Sequence, residues 1–228
     1  MIKTLGLIIF TIFLHQFSLA TELMDGKEFS SRMAEGYQIQ AEDTLAGYPI
    51  YAVDGDWTII RGELNRWADV KGRTILRPFV GMERVVNGQW AMSHWLGVNA
   101  EQGQWRRIDA EPCRGEKIVK IDQLRGILDR CATAEMSTIR VAGESVDVLK
   151  LNFTEVNVGR IYQSTFYVHP NQLGYKPAVI VDKSSDFNKK LEAWMNEYLK
   201  AMVKAANDDK MPDAFKGMRS ISQTFSIK

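Results

Sequence analysis

The dipeptide Asn87-Gly88 constrains this chain more than any other feature. It stands between residues 79–86 and 89–98, two runs rich in β-branched and aromatic side chains. Asn-Gly readily supplies the two positive φ angles that a tight hairpin turn needs. A chain that turns here pairs its flanking runs as antiparallel strands. With a plain two-residue loop, Val85 faces Trp90, Glu83 faces Met92, Gly81 faces His94 and Phe79 faces Leu96.

Further turn signals extend the pattern. Asp54-Gly55 predicts a hairpin between residues 48–53 and 56–60, with Ala52 opposite Trp57 and Ile50 opposite Ile59. Lys71-Gly72 links residues 63–70 to 73–86. Pro78, within the second of these runs, cannot donate to a ladder and so marks an edge or a bulge. More strands are predicted at 104–108, 138–141, 145–153 and 160–168, with Asn157-Val158-Gly159 turning between the last two.

Helical periodicity appears in two places. Asp122 can cap a short helix carrying Leu124, Ile127, Leu128 and Cys131 at i, i+3, i+4 and i+7. Residues 184–206 place Phe187, Leu191, Trp194, Tyr198, Met202 and Ala205 on one stripe. Ser184 or Ser185 caps this helix, and Asp186 sits in its first turn, where the helix dipole favours an acid. A third, short helix over 27–35 would stop at Gly36.

The expected fold is therefore α+β. It has an antiparallel meander sheet, flat or curled, of about seven to eight strands. A disulfide-linked short helix and a long C-terminal amphipathic helix pack on that sheet.

Residues 1–20 read as a cleavable signal peptide. Lys3 gives a positive start, an apolar run covers 5–14, and Ser18-Leu19-Ala20 offers small residues at −3 and −1. The apolar run is about half the length a membrane span requires. The expected division is 1–20 signal peptide, 21–45 polar segment, 46–210 one globular domain and 211–228 tail. The predicted compartment is the bacterial periplasm, with secretion as the alternative.

Cys113 and Cys131 are the two cysteines of the chain. In an oxidising compartment such a pair bridges. The 19-residue loop they close would contribute about 3 kcal/mol through chain entropy. They lack the clustered ligands that zinc demands, so no metal or cofactor is expected.

Charge excludes other classes. Residues 1–20 carry only Lys3, which leaves 28 basic against 28 acidic residues. This balance argues against nucleic acid as a partner. No G-x-S-x-G nucleophile elbow occurs. In the plain Asn-Gly register Glu83 and His94 are diagonal neighbours on one face, the one acid–base pair the pattern offers. A polar pair within a core, or on a solvated face, is the simpler account of them.

Five of six tryptophans precede residue 110, and most read as core. Trp67, Trp95 and Trp105 are candidates for a ligand site or interface. Asn152-Phe153-Thr154 spells a glycosylation sequon, but within a strand. The expected function is an exported, non-catalytic binding protein acting through contacts with an envelope protein, such as an inhibitor or immunity-type factor. The alternatives are a carrier holding a small apolar ligand between sheet and C-terminal helix, and a hydrolase using Glu83 and His94.

Overall fold

The computed structural model describes residues 29, 33–40, 43–53, 55–69, 71–99, 117–125, 128–157, 160–207 and 213–225. The strands in these residues are β1 (Thr44–Leu45), β2 (Tyr48–Pro49), β3 (Thr58–Ala68), β4 (Thr74–Val86), β5 (Gln89–Val98), β6 (Val119–Arg125), β7 (Leu128–Val141), β8 (Glu144–Asn157) and β9 (Arg160–Val168). The helices are α1 (Pro177–Val181), α2 (Asp186–Asn207) and α3 (Ile221–Phe225). The fold is α+β, as the sequence predicts.

Seven strands form one antiparallel sheet in the order β3-β4-β5-β9-β8-β7-β6. The meander expected from the turn spacing is in fact two. One runs β3–β4–β5 and the other β6–β7–β8–β9, and they join where β5 pairs with β9.

Asn87 and Gly88 take φ of 51° and 76°, the paired positive values of a two-residue hairpin turn. Ala142 and Gly143 repeat this between β7 and β8, with φ of 50° and 90°. The turn linking β3 to β4 is held by Asp69. Its Oδ1 accepts from the backbone N–H groups of Lys71 and Arg73, each at 2.9 Å. Pro78 lies in an interior strand, but just beyond the point where β4 loses its β5 partner, so its missing donor breaks no ladder bond there.

Three expectations require correction. Asp54-Gly55 does not turn a hairpin between residues 48–53 and 56–60. β2 pairs backwards with β1 across Ala46-Gly47, while β3 pairs with β4. Tyr48, Ile50, Tyr51 and Trp57 are all buried, so this segment is drawn into the core rather than laid beside its neighbour.

The helix over Asp122–Cys131 is two strands. β6 and β7 form a hairpin that closes with Arg125 opposite Leu128, and Cys131 lies opposite Asp122. The residues also fit a period of two. Val119 and Ile121 meet Ala134 and Ala132 across the pair and are buried, and this alternation prevails over the helical spacing. Third, residues 213–225 do not trail. Phe215, Met218, Ile221 and Phe225 are buried, and Trp194 Nε1 donates to the Arg219 carbonyl at 2.9 Å.

The core lies between the sheet and α2. Met92, His94, Leu96 and Val98 alternate inward from β5, opposite Val168, Phe166, Ser164 and Tyr162 of β9. The predicted stripe Phe187, Leu191, Trp194, Tyr198, Met202 and Ala205 is buried throughout. Ser185 caps the helix, its Oγ accepting from Asn188 N at 3.2 Å. Tyr51, Phe153, Phe166, Trp194, Tyr198 and Phe215 interlock at centroid separations from 4.4 to 6.3 Å. Among the described residues no helix is long and apolar enough to cross a membrane.

Candidate functional site

Residues at alternate positions of β4, β5, β8 and β9 face away from α2. Two glycines on that face have bulky cross-strand partners. Gly81 lies opposite Trp95, and Gly97 lies opposite Phe79. A Cβ on Gly81 would meet Trp95 Cζ3 at 2.5 Å, and one on Gly97 would meet Phe79 Cδ2 at 2.9 Å. Each ring therefore lies flat on bare backbone. The two rings stack diagonally, 5.5 Å apart and 27° from parallel. Arg77 continues the row. Its guanidinium sits 3.9 Å from the Trp67 ring centroid and donates to Gln163 Oε1. Burial lowers its pKa to about 10, so it stays charged at neutral pH.

A cavity of about 370 Å³ opens on each side of Trp95. One has Trp95 and Phe79 as its flat wall, and Asn152, Thr154, Gln163 and Thr165 as a polar wall. The polar wall is built from cross-strand pairs, Asn152 with Thr165 and Thr154 with Gln163. Asn152 is 5% exposed. Its Oδ1 accepts from Thr165 Oγ1 at 3.1 Å, while its Nδ2 has no hydrogen-bond partner. Lys150, Phe153 and Tyr167 complete the lining. Lys150 is 3.5 Å from Glu135, which also binds Lys117 at 2.5 Å. Burial pushes the Glu135 carboxyl up, but the two lysines outweigh it and hold the group below the usual range. The second cavity is lined by Ile60, Glu83, Trp90 and Trp95 together with Ile139–Ala142 of the β7–β8 hairpin.

Glu83 and His94 are not neighbours on one face. A bulge at Ala91 shifts the register between Arg84–Met92 and Val85–Trp90. Beyond it Glu83 faces Ser93, and His94 faces Met82. A single extra residue thus sends the two side chains to opposite faces of the sheet. His94 is fully buried beneath α2. Its ring stacks on Phe166 at 4.0 Å, and its Nε2 lies 2.8 Å from Ser164 Oγ, which lies 2.8 Å from Tyr198 Oη. Burial lowers the imidazole pKa to about 3 and raises that of the Tyr198 phenol, so both are neutral at physiological pH. These neutral groups form a hydrogen-bonded polar thread within an aromatic core, in which His94 Nδ1 is the ring nitrogen left without a hydrogen-bond partner.

Of the tryptophans singled out from sequence, Trp67 and Trp95 share the face opposite α2, and Trp105 lies outside the described residues. Cys131 is buried in β7, and Cys113 lies outside the described residues. The sequence reading missed Phe79, Asn152, Gln163 and Tyr167. Alternation along β8 and β9 could have found most of them, since Leu151 and Phe153 point to the core and leave Asn152 and Thr154 facing out.

Among the described residues no cluster of three or more His, Cys, Asp or Glu side chains could hold a metal ion. No family model matches the chain, and neither a curated protein nor a solved structure matches it.

Proposed function

We propose that this chain is an exported, non-catalytic binding protein whose recognition surface is the sheet face opposite α2. The observation that carries the reading is the Trp95–Phe79 stack, seated on Gly81 and Gly97 with a cavity on either side. Rings held flat by the backbone lose little freedom on binding, which favours affinity. Polar groups that fix a ligand's orientation stand within reach of those rings. The sequence alone put a protein partner first, and the cavities move the weight to a ligand small enough to enter them. Export rests on the pattern of residues 1–20, and a Cys113–Cys131 bridge belongs to the same proposal.

A protein partner is the second reading. It is favoured by Trp67, 44% exposed beneath the Arg77 guanidinium, since Trp and Arg dominate interface hot spots. The layer between sheet and α2 is filled by interlocked rings, so a carrier reading moves to the opposite face. A hydrolase using Glu83 and His94 draws no support from side chains on opposite faces.

The test is a photo-crosslinking residue placed at Tyr167, compared with one at the exposed Lys189 of α2, in protein produced in its own compartment. Adducts confined to the Tyr167 probe support the reading. Equal yields at both positions, or none at either, overturn it.

A further inference from the structure

We propose that the cavity between Trp95 and Asn152 binds the ring of a neutral saccharide, an inference that rests on the sheet face being the recognition surface. The two walls differ in chemistry. Trp95 and Phe79 present flat apolar surface. Beside them, on the next two strands, Asn152, Thr154, Gln163 and Thr165 form a square of four polar side chains. Neighbouring strands lie about 4.8 Å apart, and alternate residues along a strand about 7 Å apart. Amides and hydroxyls both donate and accept, as a sugar hydroxyl does. A pyranose ring, with a C–H face and a rim of hydroxyls, matches both walls at once.

The same walls weigh against other small ligands. A hydrocarbon ligand would supply no acceptor to Asn152 Nδ2, which is already shut off from solvent without a partner while the Oδ1 of the same side chain is committed to Thr165. A phosphorylated ligand calls for several cations. Lys150 is the one cation lining the cavity among the described residues, and Glu135 already pairs with it. Arg77 holds Gln163 by its carbonyl oxygen, which leaves the amide NH2 of that side chain as its donor.

A free sugar and one unit of an envelope polysaccharide share this chemistry. Saturation-transfer NMR on the full chain, with a panel of neutral hexoses, N-acetylhexosamines and their short oligomers, tests the first. Co-sedimentation with insoluble cell-wall glycan tests the second. The expected result is binding in at least one arm, weakened about tenfold or more by Asn152→Ala and by Trp95→Ala. Lys189→Ala should leave it unchanged. Thr154→Val, which alters a single hydroxyl on the same wall, keeps the test alive if Trp95→Ala fails to fold. Silence in both arms overturns the proposal, as does binding indifferent to Asn152→Ala and Thr154→Val. If both arms are silent while the Tyr167 crosslinker still captures a partner, the saccharide fails and the recognition face stands. If the crosslinker is silent too, both fall.

Discussion

The indole of Trp95 occupies the space a side chain at Gly81 would need, with Cζ3 2.5 Å from the position of a Cβ there. Gly81 lies in a strand without a positive φ, so its role is clearance and not backbone freedom.

Gly81→Ala should therefore lift Trp95 off the sheet and unstack it from Phe79. Forcing one methyl into a filled site costs about 1–3 kcal/mol. The check is a urea midpoint alongside near-ultraviolet circular dichroism. An unchanged aromatic spectrum would sink the account of the stack.

His94 makes stability depend on pH. In the unfolded chain it takes up a proton near pH 6.5, whereas in the fold it stays neutral down to about pH 3. Between these values the unfolded state binds more protons, so stability is lost as pH drops from 6.5 towards 3, by up to about 1.4 kcal/mol per unit. Above pH 6.5 the group contributes no slope. His94→Gln should remove this component, read as a flatter dependence of the urea midpoint on pH from 7 to 4. Parallel profiles for the two proteins would contradict it.

Ala142 adopts a left-handed conformation at φ 50° in an exposed turn. A non-glycine residue there pays about 1–2 kcal/mol, and asparagine tolerates the region better. Ala142→Asn should raise stability by about 0.5–1 kcal/mol. A lower urea midpoint would show that the turn is not of this type.

Residues 213–225 pack against the buried stripe of α2, meeting Phe187, Trp194 and Tyr198. Removing them uncovers Trp194 and deletes Phe215, Ile221 and Phe225 from the core. Each large apolar side chain lost is worth about 1.5–3 kcal/mol. The truncated protein should melt far below the full chain and bind a hydrophobic dye. Trp194→Phe, which removes the bond to Arg219 and shrinks one buried ring, should cost less, about 2–3 kcal/mol. A truncation as mild as that substitution would restore the picture of a loose tail.

The sheet and the long helix were legible because their signals are local. Asn87-Gly88 marks its own turn, and the Phe187–Ala205 stripe needs only a helical period. The two-meander order was not legible, since nothing local to β5 says that its partner is β9. The helix misread at Leu124–Cys131 shows the ambiguity of short apolar runs, where one set of residues satisfies two periods. The candidate site was half legible. Trp67 and Trp95 stood out by type, but the bulge at Ala91 decides which residues share their face, and no turn residue announces it. Gly81 and Gly97 gain meaning only from the rings that cross them.

The pairing of Met92–Val98 with Tyr162–Val168 is the seam between two halves of the sheet, with partners more than sixty positions apart in sequence. Trp95 and Phe79 belong to one half, and the Asn152 wall to the other. Neither half alone has both walls, so the cavity does not exist until the two halves have joined. Such long-range closure is typically slow in folding. A ligand held between the walls, as proposed above, would act as a clasp on the seam, and its binding energy would add to the stability of the joined sheet.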